Sequence, residues 1–109
     1  MARDIGLEEM IRDDLREEHG LTEKPMFGGL AWLLFGNLLC GARDKGMLVR
    51  LGKGNDAWAF KKPDIIPMKM GGRSMHGWVR AGMTSVGDDA LRRKLLEAAV
   101  KFVKTLPKK

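Results

Sequence analysis

The chain has 109 residues, 44% of them apolar and 31% charged, with a formal net charge of +6. That is enough for one domain spanning 1–109 and too few for two with separate cores, and the apolar content excludes a disordered or collagen-like chain. The longest apolar run, Leu30–Phe35, falls far short of the roughly 20 residues of a membrane-crossing helix, and the charged N-terminal stretch holds no apolar signal segment, so a cytoplasmic domain without membrane contact is expected.

The first segment reads as an amphipathic helix from about Asp4 to His19. Leu7, Met10, Ile11 and Leu15 recur at helical spacing with acids on the other face, Asp4 is placed to cap the start, and Gly20 to take the left-handed position after the end. Pro25 prevents helical continuation. Residues 1–24 hold eight acidic and four basic residues, a net of −4, while the remainder holds 16 basic and six acidic, a net of +10. A basic balance of this kind permits a polyanionic partner without demanding one.

From Met26 to Gly52 the pattern is that of strands broken by turn residues. Met26–Phe35 is apolar on both alternating faces, as in a strand covered on both sides. Gly36-Asn37 turns into Leu38–Arg43, and Asp44-Lys45-Gly46 turns into Met47–Leu51, which makes an antiparallel meander of three strands. Asn55–Lys62 is expected to form one short helix, and Pro63 and Pro67 impose extended chain. Met68–Met70 and Ser74–Ala81 read as two strands around Gly71-Gly72. Asp88 then caps a long helix to about Thr105, with Leu91, Leu95, Ala98, Ala99 and Phe102 in one stripe and Arg92, Arg93, Lys94, Lys101 and Lys104 on the rest. The expected fold is a two-layer α+β domain, an antiparallel sheet with helices on one face, in the order α-β-β-β-α-β-β-α.

Several constellations invite chemistry and fall short of it. Met26-Phe27-Gly28-Gly29 lacks the Lys and Ser or Thr of a phosphate loop and leads into a strand, which fits a bulge or close backbone approach. Gly52-Lys53-Gly54 lacks the third glycine and following helix of a dinucleotide site, so no cofactor is expected. Cys40 excludes a disulfide framework by being alone. Paired with His76 it would need an orienting acid that is not evident, and it reads as a small buried hydrophobe on one strand face with Leu38 and Ala42. No catalytic residue is assigned. Met68, Met70, Met75 and His76 hold soft copper(I) ligands, but thioethers at this density read as core filler and no metal is expected.

Strand alternation carries the strongest functional signal. With Met75 and Val79 facing the helices, His76, Trp78 and Arg80 face the other way, and Arg43 and Arg50 point opposite to Cys40 and Val49. These five residues are expected to share an open sheet face. A tryptophan among arginines suits either stacking of single-stranded nucleic acid or a protein interface, including pairing of two copies as a homodimer. Lys101, Lys104, Lys108 and Lys109 read as a solvated face and tail.

The order and spacing of these elements also resemble a known family. Met26-Phe27-Gly28-Gly29, the apolar strand, the Gly-Asn turn and the second strand resemble the amino-terminal domain of the competence regulator TfoX (Sxy). So do Pro67-Met68, Gly71-Gly72-Arg73-Ser74-Met75, Gly77-Trp78-Val79, Phe102-Val103 and Leu106-Pro107. The resemblance covers roughly residues 5–107, without a counterpart of the regulators' second, helical domain. It implies an α+β fold similar to secretion-chaperone-like domains and a non-enzymatic regulatory or interaction role, with no catalytic residues to carry over. The expected function is therefore binding of another protein, with a homodimer as one form of it. Direct nucleic-acid binding through the basic sheet face together with Lys61, Lys62, Lys69 and Arg73 is the alternative.

Overall fold

A computed structural model describes residues 4–26, 28–44 and 46–109, except for the side chain of Met70. The expectations that fall on Phe27 and Lys45 lie outside the described residues. Helix α1 (Ile5–Leu15) is capped by Asp4, whose side chain accepts from the Leu7 backbone N–H at 3.0 Å. Six strands follow: β1 (Leu21–Met26), β2 (Gly29–Leu34), β3 (Asn37–Arg43), β4 (Gly46–Arg50), β5 (Ile65–Met70) and β6 (Arg73–Ala81). A 3-10 helix (Ala57–Lys61) separates β4 from β5, and α2 (Met83–Val86) and α3 (Asp89–Val103) close the chain. The strands form one antiparallel sheet in the order β1-β2-β3-β4-β6-β5. The fold is thus the expected α+β arrangement, with more elements than the sequence pattern displayed.

The structure differs from the expected elements in three places. The first helix stops at Leu15 rather than near His19, and Gly20, although its φ is 81°, sits at the entry to β1 rather than after the helix. Residues 21–26 form a strand that the pattern hid, because β1 is an edge strand whose middle four residues are exposed and polar or proline, with no buried alternation to read. Arg92, expected on the solvated side of the last helix, is 3% exposed. Its guanidinium meets Asp14 at 2.7 Å, Asp89 at 2.8 Å and the Val86 carbonyl at 2.9 Å, tying α1 and α2 to α3.

The core lies between the helices and one sheet face. Leu7, Ile11 and Leu15 of α1, Val86 of α2, and Leu95, Leu96 and Ala99 of α3 pack against Trp32, Leu34, Leu39, Cys40, Val49 and Val79. Ala59 of the 3-10 helix joins the same cluster, so every helical element covers this one face. Gly29 runs hard against the backbone of β3: a Cβ there would stand 2.0 Å from the Ala42 carbonyl oxygen, which is the close approach expected of the glycine run. The lysine tail is not simply solvated. Lys109 N–H donates to the Phe35 carbonyl at 2.9 Å, Asn37 Nδ2 donates to the Pro107 carbonyl at 2.8 Å, and Lys104 pairs with Glu18 at 3.0 Å.

Candidate functional site

Among the described residues, no helix packs on the second sheet face. Its buried cluster is Leu48, Met68 and Trp78, with Leu38 and Met75 packed alongside, and all five are strand residues. Two irregularities decide which side chains reach this face. In β3, Trp32 pairs with Cys40 but Leu33 pairs with Leu38, so Leu39 is an extra residue. Leu39 and Cys40 both enter the helix-side core, while Leu38 falls on the opposite side from Cys40, against the simple alternation expected for this strand. In β6, the register with β5 slips between Pro67↔Val79 and Lys69↔Ser74, and Gly77 inside that stretch has φ 87°, its carbonyl accepting from both Leu51 N (2.7 Å) and Gly52 N (3.1 Å). A Cβ on Gly77 would lie 2.5 Å from the Lys53 nitrogen, so the bulge requires glycine.

The Gly77 bulge corrects the expected assignment of Met75 and His76. Met75 packs with Trp78 on the helix-free face instead of facing the helices, and His76, its neighbour in β6, is exposed. Trp78 itself is 8% exposed, enclosed by Leu48, Met68 and Met75 rather than lying open as a stacking platform. The Arg50 guanidinium stands 5.8 Å from the Trp78 ring centroid and 5.7 Å from that of Phe102, and its Nη1 reaches the Leu38 carbonyl at 3.4 Å. It caps the end of the apolar cluster by charge–ring attraction.

The cations expected on this face are there. The ladder sets Lys24 beside Ala31, Gly41 beside Leu48, and Arg80 between Leu48 and Ile66, while Arg50 stands opposite Trp78. Arg43, Arg50 and Arg80 are half-buried, their stems covering apolar surface. The only acid within the six strands is Glu23. It belongs to the other face, where it accepts from Trp32 Nε1 at 3.1 Å and from Arg12 Nε at 2.6 Å. The helix-free face therefore combines an apolar centre, a cationic border and no strand carboxylate. Lys61, Lys62, Lys69 and Arg73 lie exposed on the 3-10 helix, the residue after it and the β5–β6 hairpin, and Lys69 lines a surface pocket together with Arg80, Ile66 and Pro67.

The other candidate constellations separate. Cys40 is fully buried in the helix-side core and burial pushes its thiol pKa well up, whereas His76 is exposed, so the two do not form a nucleophile–base pair. Met68 and Met75 fill the second cluster as apolar bodies. Among the described residues no three His, Cys, Asp or Glu side chains group as metal ligands, and no helix is long and apolar enough to cross a membrane. Asp64 is the charged residue the sequence reading missed. Its oxygens accept from Ser85 N (2.8 Å) and Ser85 Oγ, which holds the start of α2 from the side. Burial acts to raise the Asp64 pKa, but the Ser85 hydrogen bonds and nearby Lys62 outweigh it, and the carboxyl titrates below its ordinary range. No family model matches the chain, and neither a curated protein nor a solved structure matches it.

Proposed function

We propose that the protein is a non-enzymatic interaction module that docks an acidic protein segment on the helix-free sheet face. The observation that carries this reading is the composition of that face: Leu38, Leu48, Met68, Met75 and Trp78 at the centre, Lys24, Arg43, Arg50 and Arg80 around them, and no carboxylate on its strands. An apolar centre with a charged border is the anatomy of a protein interface, and unpaired arginines at the border select an acidic partner. The same charges weigh against a homodimer through this face, since two copies would oppose like-charged arginines across it. Both open edges of the sheet carry proline, Pro25 in β1 and Pro67 in β5, which weighs against strand addition at either edge. The resemblance to the TfoX amino-terminal domain points the same way, to regulation by contact rather than by chemistry.

The test is a methyl NMR titration with a blocked peptide of alternating leucine and glutamate. Methyl signals of Leu38, Ile66, Met68 and Met75 shift and saturate, those of Ile11, Leu39 and Val79 stay, and a leucine–lysine peptide does nothing. Shifts confined to the helix-side residues would sink the proposal. So would a dimer in sedimentation equilibrium that Leu38→Glu dissolves, because the face would then belong to a second copy.

Nucleic-acid binding is the second reading, favoured by the exposed Lys61, Lys62, Lys69 and Arg73, none of which is within ion-pairing distance of a carboxylate among the described residues. With Trp78 enclosed, such binding would rest on phosphate contacts, so anisotropy with labelled oligonucleotides would collapse between about 50 and 200 mM salt. No binding at the lower salt removes it.

A further inference from the structure

At one end of the helix-free face lies a pocket of about 210 Å³. Its cause is a gap in the side-chain layer: Gly46 of β4 stands between Arg43 of β3 and the end of β6, where Gly82 follows. Gly46 admits no replacement, since a Cβ would stand 2.1 Å from the Ala81 carbonyl oxygen and its φ is 131°. Arg43 and Arg80 flank the gap, and Leu48 and the half-exposed Ile66 add an apolar wall.

Among the described residues, the two arginines of this pocket form no ion pair, and the Nε of Arg43 is sealed from solvent without a hydrogen-bond partner. An unpaired buried donor is unfavourable, and a ligand that accepts from it recovers the loss. Asp64 also lines the pocket, but its oxygens accept from Ser85 and none of them bonds the Arg43 Nε.

We propose that the Arg43–Arg80 pocket binds one carboxylate group carried on a small apolar body. A guanidinium presents two N–H groups side by side, spaced to match the two oxygens of a carboxylate, and the unpartnered Nε–H of Arg43 is one of such a side-on pair. The apolar wall of Leu48 and Ile66 takes the group to which the carboxylate is attached. Ionised Asp64 on the margin sets the preference for a single negative charge over the dianion of phosphate, by like-charge repulsion. The inference rests on the docking reading in one respect only: the source of the carboxylate is an acidic side chain of the bound segment rather than a free small acid.

The experiment follows the arginine Nε–H signals of the intact, isotope-labelled protein while isovalerate, inorganic phosphate, chloride or the blocked leucine–glutamate peptide is added. Isovalerate is expected to move the Arg43 signal saturably, ahead of phosphate, with chloride giving only a linear drift. Arg43→Lys keeps the charge but lacks the paired N–H groups, and weakens isovalerate about tenfold. Arg80→Gln does likewise, the amide spectrum of each variant verifying the fold. Tighter binding of phosphate, equal response to all three anions, or no loss in Arg43→Lys overturns the proposal. The peptide arm separates the two claims. Shifts of the face methyls with Arg43 unmoved leave docking intact and remove the pocket, while isovalerate saturation without any peptide response keeps the pocket and removes docking.

Discussion

Each face of the sheet is built around a tryptophan, and the two residues live under different physics. Trp32 is fully buried beneath the helices, and its Nε1–H is held by Glu23, which Arg12 pairs in turn. Trp78 is nearly as enclosed, yet its surroundings are strand side chains alone, and a guanidinium rather than a carboxylate stands beside it. On the covered side, the buried charges Asp14 and Arg92 are paired within the chain. Across the helix-free side, cations border an apolar centre and no acid answers them from the strands. A face can therefore be buried residue by residue and still be unfinished electrostatically, and that is the property a partner of opposite charge can use.

The largest expected effect falls on the junction of the helices that make the covered side what it is. Replacing Arg92 with Met leaves Asp14 buried with only Arg93, at 3.2 Å, to pair it. Urea unfolding should lose about 3–5 kcal/mol. The double variant with Asp14→Leu should recover much of that, because the uncompensated charge is gone. A small loss in the single variant would mean that the junction contributes little and the covered side is held by apolar packing alone.

Next in size comes a direct comparison of the two sides. Leu39→Ala on the covered side should cost about 2–5 kcal/mol, as for a closed core, and Leu48→Ala on the other side about 2 kcal/mol or less, since flexible methionines and open surface let the site relax. Equal losses would make the helix-free side a second closed core and break the comparison.

A smaller effect concerns Asp64, which joins the start of β5 to α2. Asp64→Asn should cost about 1 kcal/mol, as for loss of a side-chain cap. Its carboxyl is held below the ordinary range in the folded protein, so its contribution is present above the unfolded value and is lost as pH falls through the folded one. The acid limb of a stability–pH curve, below about pH 4, should therefore be shallower in Asp64→Asn. Parallel acid limbs would show that Asp64 is not titrating differently in the two states. The smallest stability effect is expected at Arg50→Gln, within about 0.5 kcal/mol for a partly exposed side chain, together with a clear loss of peptide-induced methyl shifts. The opposite pattern, lost stability and unchanged binding, would make Arg50 part of the scaffold rather than of the docking border.

What the sequence determined by itself was whatever depends on near neighbours in the chain. The caps at Asp4 and Asp88 could be read because a side-chain acceptor three residues ahead of an unpaired N–H is a local matter. The three-strand meander from Gly29 to Arg50 was visible because alternation and turn glycines are local too, and the cations Arg43, Arg50 and Arg80 were found by that alternation. Tertiary structure decided the rest. The edge strand Leu21–Met26 exists because β2 offers it a ladder, not because its residues favour one. The extra residue at Leu39 and the bulge at Gly77 depend on register with partner strands, and they moved Leu38 and Met75 to the side opposite the helices. Burial of Arg92 depends on an aspartate 78 residues away. The enclosure of Trp78 and the gap over Gly46 likewise arise where strands distant in sequence meet, and no local period encodes which side chains share a surface once a bulge has shifted the count.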